Sequence, residues 1–260
     1  MTSFDADIRA VAALVRGANR IAVLTGAGIS TESGIPDFRG PQGVWTKNPA
    51  AEKLSTLQHY LNDPDVRRRA WQQRLQHEAW KAQPNAGHAA LVDFERSGKL
   101  VALLTQNIDG LHQKAGSNPA LVVEIHGTVH EVVCMSCGDR GPMSAALERV
   151  RSGEEDPSCR ACSGILKSAT ISFGQNLVED DLRRAERAAL NCDLLLAIGT
   201  SLGVFPIAGV VPLAKRAGAH IVIVNGTATE MDGLADYVLR GKIGEILPSI
   251  VAEAEGTVGA

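Results

Sequence analysis

A chain of 260 residues has room for one large α/β domain or for a main domain carrying an insertion. Apolar residues make up 45% of it, enough for a substantial core, while a net charge of −3 and a pI near 6.2 offer no broad attraction to nucleic acid or an anionic membrane. The first residues have neither the basic region nor the apolar core of a signal peptide, and no apolar run reaches the roughly 18–20 residues that cross a bilayer, so a cytoplasmic protein is expected.

Ile8, Val11, Ala12 and Val15 recur at helical spacing, with Asp5 placed to cap the helix they predict. Residues 20–25 then read as a short buried strand running into glycines. Similar apolar runs follow at 100–105, 121–125, 193–198, 220–224 and 236–239, with helical patterns at 85–97, 180–191 and 206–217. Short continuous strands alternating with helices imply a parallel sheet covered on both faces. Two stretches break the rhythm. Residues 41–84 carry no strand signal and read as helices, and 128–166 carry four cysteines and a polar loop at 152–157. The fold expected is therefore α/β: a Rossmann-like parent domain over about 1–40, 85–127 and 167–260, with a smaller lobe built from the two insertions. The basic run Arg67-Arg68-Arg69 is read as a solvated helix face.

Cys134-x-x-Cys137 and Cys159-x-x-Cys162 can place four thiolates around one tetrahedral zinc, a closed shell that holds structure and leaves no open position for chemistry. Scattered core thiols or disulfides are the competing account, disfavoured by the spacing. Cys192 stands alone before an apolar run and reads as a small buried residue.

Catalysis is then sought at the strand ends, because open parallel sheets bind ligands beyond their carboxyl edge. Gly26-Ala27-Gly28 follows the first strand as a phosphate-cradling turn would, although Thr31 stands where a dinucleotide fingerprint has its third glycine. Gln106-Asn107-Ile108-Asp109 follows the second strand, and His126, suited to a general base, ends the third. Gly199-Thr200-Ser201 and Asn225-Gly226-Thr227 end two more, with small groups suited to ribose and adenine.

These motifs, in this order, make the chain resemble the sirtuins, the NAD-dependent protein-lysine deacylases. The resemblance covers nearly the whole length: GAGIS at 26–30, SGIPDFR at 33–39, TQNIDGLH at 105–112, His126-Gly127, the two cysteine pairs, Phe173-Gly174, GTSL from Gly199, Val204-x-Pro206 and Asn225. It implies NAD+ as co-substrate and one structural zinc. Gly26, Ala27 and Gly28 would approach the pyrophosphate, and Ser30 would belong to the cofactor set. Phe38 and Arg39 would cover the nicotinamide side, Gln106, Asn107 and Asp109 would hold nicotinamide and its ribose, and Asp37, Trp45 and Ile108 belong to the same cofactor set. Ile243 would join Asn225, Gly226 and Thr227 in the cofactor set. In the family's chemistry the acyl-lysine carbonyl oxygen displaces nicotinamide to give an imidate. His126 deprotonates a ribose hydroxyl that attacks it, with Asn107 and Asp109 assisting, and O-acyl-ADP-ribose leaves. Acylated-lysine proteins are the partners implied. The oligomeric state stays open, compatible with a monomer.

The chain departs from the family where Lys167-Ser168 replaces an Arg-Pro segment and Gln175 replaces the Glu of Phe-Gly-Glu, which bears on peptide preference around Phe173, Gly174 and Val204. Relatives preferring succinyl or malonyl groups carry a Tyr-x-x-Arg pair where this chain has Trp71-Gln72-Gln73-Arg74. Arg74 would pair with an acyl carboxylate there; the competing account makes Trp71 core and Arg74 surface. Acetyl is the acyl group expected. Three other functions remain open at this point: a desuccinylase or demalonylase, a mono-ADP-ribosyltransferase, and a dehydrogenase on the same fold. A zinc-ribbon nucleic-acid binder is opposed by the acidic balance.

Overall fold

A computed structural model describes residues 3–37, 43 and 56–256. Its centre is a six-stranded, all-parallel sheet in the order β3-β2-β1-β7-β8-β9. The strands are β1 (Ile21–Thr25), β2 (Leu100–Thr105), β3 (Val122–Glu124), β7 (Leu194–Ile198), β8 (His220–Val224) and β9 (Tyr237–Leu239). β1 and β7 are buried at every position, as their uninterrupted apolar sequences require of a sheet covered on both faces.

Alternation along each strand sorts the side chains into two cores. Ile21, Val23, Leu194, Leu196, Val222 and Val224 face α1 (Ser3–Gly17), α4 (Ala86–Arg96) and α9 (Ile243–Glu255). Ala22, Leu24, Leu195, Ala197, Ile221 and Ile223 face α7 (Glu179–Asn191) and α8 (Val210–Arg216). Cys192 is buried in this second core. Asp5 sits inside the first turn of α1, where a carboxylate also suits the helix dipole. Asn85 caps α4 through a capping box with His88.

A second, antiparallel sheet has the order β5-β4-β6, with β4 (Gly127–Cys134), β5 (Arg140–Pro142) and β6 (Leu166–Thr170). It takes in residues 167–170, which the sequence places in the parent domain. α6 (Met143–Arg151) packs on β4, and the helical stretch α2 (Leu57–Asn62) and α3 (Pro64–Leu75) meets it through Trp71. Among the described residues no helix is long and apolar enough to cross a membrane.

The chain builds β1, β2 and β3 on one side, then returns to lay β7, β8 and β9 on the other. The strand order therefore reverses between β1 and β7, the point where an open parallel sheet forms its crevice.

Candidate active site

At that reversal the loop after β1 interlocks with the loop after β7. Gly28 N–H donates to Gly199 O at 2.8 Å, and Gly26 N–H to Ile198 O at 3.0 Å. A Cβ on Gly28 would lie 2.7 Å from Gly199 Cα, and one on Gly199, whose φ is +62°, would lie 2.4 Å from Ile29 N. The glycines are thus fixed by loop-to-loop contact. This corrects the idea of a cradle made by their amides: two of those N–H groups are occupied, and the Ala27 N–H is the one with no partner among the described residues. The chain continues into a short 3-10 helix, Ala27–Ser33.

Behind this loop the end of β2 is held by a buried network. Asn107 Nδ2 donates to Gly26 O (3.1 Å) and Ser30 Oγ (3.2 Å), while Ser30 Oγ donates to Asp109 Oδ2 (2.8 Å). Asp109 Oδ1 accepts from Leu111 N–H at 3.0 Å. Gln106 Nε2 reaches across to Thr200 Oγ1 at 2.9 Å, tying β2 to β7. Asn107 and Asp109 are buried, so each keeps a single orientation.

His126 follows β3, and its Nδ1 lies 3.0 Å from Gln106 O. A carbonyl only accepts, so Nδ1 carries the proton and Nε2 is the basic nitrogen. Burial lowers the His126 pKa below its ordinary 6.5, opposed by that backbone bond. His130 braces the same edge, its Nε2 donating to Asp109 O at 2.8 Å.

The remaining predicted cofactor residues scatter by burial. Thr200 and Asn225 are buried, Ser201, Gly226 and Thr227 are exposed, and Ile108 is half-buried. Asn225 Nδ2 donates to Thr227 O, closing its own loop. Ile243 is a core residue, packed in the α1–α4–α9 layer, because it opens α9 facing the sheet. Asp37 is half-buried at the end of the described loop. Phe38, Arg39 and Trp45 lie outside the described residues.

Of the predicted substrate residues, Phe173 pairs through its carbonyl with Leu57 N–H, and it is exposed, with Gly174 following at φ +79°. Val204 accepts from Ala208 N–H. Trp71 is fully buried in the cluster that holds Met143, Cys134 and Cys159, its indole Nε1 without a hydrogen-bond partner among the described residues. Arg74 is not a free surface residue either. Its guanidinium stacks 4.4 Å from the Trp71 ring and 5.0 Å from the Tyr60 ring, and donates to Tyr60 Oη and Ser168 Oγ. Beside it, Lys167 is 1% exposed, its ammonium bonded to the carbonyls of Ser168 and Thr170. Burial first, and then the Arg74 charge, push the Lys167 pKa down to about 7. No carboxylate forms an ion pair with either cation among the described residues.

The four cysteine sulfurs lie within 4.8 Å of one another. Cys134–Cys162 and Cys137–Cys159 Sγ distances are 3.5 and 3.7 Å, matching the ~3.8 Å edge of a tetrahedron with ~2.3 Å Zn–S bonds. Ser136 and Cys137 N–H groups point at Cys134 Sγ, and a Cβ on Gly164 would strike that sulfur at 2.9 Å. The donor set fits one structural zinc.

A family model described as "Sir2 family" matches residues 26–206. The chain belongs to the Sir2 family. It is 49% identical over 233 residues to NAD-dependent protein deacetylase 2 of Streptomyces coelicolor, covering 89% of this chain and 96% of that one. It is 42% identical to NAD-dependent protein deacetylase of Rhodopseudomonas palustris, covering 96% and 98%. A solved Sir2 structure with a deacetylated peptide and 3′-O-acetyl ADP ribose superposes with a TM-score of 0.87 at 30% identity, covering 97% of this chain and 99% of that one.

Three features of this Sir2 chain escape the sequence reading. The Ser30–Asp109 bond joins residues 79 positions apart and has no local signal. Lys167 stands out as a departure from the family, but its burial hides because a lysine in a strand normally marks a solvent face. The buried imidazoles of His88 and His112 lie beneath the site; His112 ends the TQNIDGLH run, and His88 falls within the helical pattern at 85–97, where nothing local sets it apart.

Proposed function

We propose that this chain removes acyl groups, acetyl foremost, from protein lysine side chains, with NAD+ as co-substrate and nicotinamide and O-acyl-ADP-ribose as products. The observation that carries the reading is the polar edge at the β1/β7 reversal, in which His126, Asn107, Asp109 and Ser30 are held by one another's hydrogen bonds. The residues fit NAD+, since fixed amides, a carboxylate and a basic imidazole share one crevice. Bound there, NAD+ supplies an electrophilic ribose carbon with nicotinamide as leaving group. His126 Nε2 takes the proton from a ribose hydroxyl, its other nitrogen tied to Gln106 O so that the ring stays in one tautomer. Asn107 and Asp109 orient the nicotinamide ribose, Gln106 orients Thr200, and Gly28 sets the spacing between the β1 and β7 loops. Asn225 and its loop border the adenosine end. In this reading the acyl-lysine lies between the parent domain and the smaller lobe, along Phe173, Gly174 and Val204. A thiolate zinc shell suits a reducing cytoplasm.

A second reading concerns the acyl chain. Arg74 and Lys167 gather two cations without a carboxylate, which favours a negatively charged acyl group as a secondary substrate.

Identical peptides carrying acetyl-, propionyl- and succinyl-lysine, incubated with NAD+, test both. Nicotinamide release matched by O-acetyl-ADP-ribose is expected. Growth of NADH absorbance, or label from NAD+ retained on protein without lysine deacylation, would refute the function.

A further inference from the structure

His88 and His112 lie under the site with their rings 5.0 Å apart and tilted by 53°. Both are essentially inaccessible, at 0% and 1% exposed. Each has one nitrogen bonded and one, His88 Nε2 and His112 Nδ1, with no hydrogen-bond partner among the described residues.

The bonded nitrogens fix what the other two must be. Thr25 donates its hydroxyl proton to Thr105 Oγ1 at 2.9 Å, so toward His112 Nε2, 3.0 Å away, Thr25 can only accept. His112 therefore carries its proton on Nε2 and has a lone pair on Nδ1. His88 Nδ1 accepts from Asn85 N–H in the capping box, so its proton is on Nε2. One ring offers a buried donor, the other a buried acceptor. Ser117 Oγ is likewise buried and unpartnered, and its own N–H donates to His112 O at 3.1 Å. The donor and the acceptor, on rings 5.0 Å apart, meet the minimum of two contacts that a buried water takes.

We propose that His88 and His112 hold one buried water molecule between them, and that the chain from His88 through this water, His112 and Thr25 to Thr105 positions Asn107 at the active edge. The water accepts from His88 Nε2–H and donates to His112 Nδ1. His112 Nε2–H then donates to Thr25, Thr25 to Thr105, and Thr105 Oγ1 also accepts the Asn107 N–H at 3.1 Å. The donors run from His88 to Thr105 Oγ1, where they meet the backbone N–H of Asn107, the residue that grips Gly26 O and Ser30. Burial holds the His88 pKa at about 4 and the His112 pKa at about 3, so neither ring charges near neutral pH. His88 and His112 are positioning residues, and their catalytic consequence rests on the placement of NAD+ at residues 106–109.

The direct test is imidazole 15N NMR on the histidine-labelled full chain. The expected result is His112 protonated at Nε2, with Nδ1 shifted as a hydrogen-bonded lone pair, and a cross-peak from His88 Hε2 to a long-lived water. A His112 proton on Nδ1, or an Nδ1 signal of a free lone pair, overturns the bridge. The kinetic test pairs His112→Phe with Thr25→Val. Each is expected to lower kcat/KM for NAD+ at least tenfold with peptide KM unchanged, and the double variant to be no worse than the weaker single. Additive losses overturn the chain. If His112→Phe does not fold, the NMR result on the parent decides. Absence of nicotinamide release by the parent would sink the proposed function and leave the NMR result on the water standing.

Discussion

His126 Nδ1 bonds Gln106 O, so the residue that aligns the base is next in sequence to Asn107. The bond fixes the tautomer, and burial pulls the pKa below 6.5, which keeps the ring unprotonated at neutral pH. The base role proposed for His126 needs the free imidazole. It should therefore rise with pH through a limb lying below 6.5 and be flat across neutrality. Replacing His126 with Ala should lower turnover at least ~10²-fold, the scale of a lost general base, with zinc content and thermal unfolding unchanged. Steady-state profiles of parent and variant check both statements. A folded variant with near-parental turnover removes His126 from the mechanism.

Cys137 and Cys162 are the exposed pair of the thiolate shell, while Cys134 and Cys159 are buried beneath it in the same cluster as Trp71. Cys162→Ser leaves three strong ligands, and since structural zinc binding is itself folding free energy, the small lobe should loosen and activity follow. Elemental analysis should give one zinc per chain in the parent. Chelation should lower its unfolding temperature, and an active, zinc-free preparation would contradict the assignment.

The large sheet is legible in the sequence because fully buried parallel strands are written as continuous apolar runs, and the strand-end motifs lie where such runs stop. What lies between the motifs is not. Asn107, Ser30 and Asp109 meet only after β1 and β2 pair in register from Ala22 opposite Ala102 to Thr25 opposite Thr105, and no local pattern encodes that. The small sheet also escapes, because β4 and β6 change register between Gly127 and Val132, which scrambles the alternation that betrays a strand. Gly28 misleads for a related reason. It looks like part of a phosphate turn in sequence, but its N–H is committed to Gly199, a partner that only the pairing of β1 with β7 brings near.

His88 and His112 should make the protein sensitive to acid. Each is neutral when folded, with pKa values near 4 and 3, whereas the unfolded chain takes up protons below about 6.5. Stability present above 6.5 is then lost as pH falls toward those folded values, with unfolding favoured by roughly 2 kcal/mol per histidine at pH 5. Urea midpoints at pH 7.5 and 5.0 measure the loss. His88→Gln, which keeps an amide near Asn85 and cannot charge, should recover about half of it. A parent whose stability is unchanged between those pH values would show that these rings are not buried neutral.

Arg74 decides the acyl question. Its guanidinium lies against the Trp71 and Tyr60 rings and donates to Ser168 Oγ, while Lys167 binds the carbonyl of Thr170, the residue paired with Gly127 beside His126. Burial, and then repulsion from Arg74, depress the Lys167 pKa, and an arriving carboxylate would relieve both. An uncharged acetyl group gains nothing from the pair. Arg74→Met should therefore depress desuccinylation more than deacetylation, by about tenfold or more for the loss of one charge-assisted pair, and leave acetyl turnover equal or better. Competition between acetyl- and succinyl-peptides at equal concentration reads the ratio directly. Equal losses on both would confine Arg74 to holding Tyr60 and Ser168 together, and the preference for acidic acyl groups would be withdrawn.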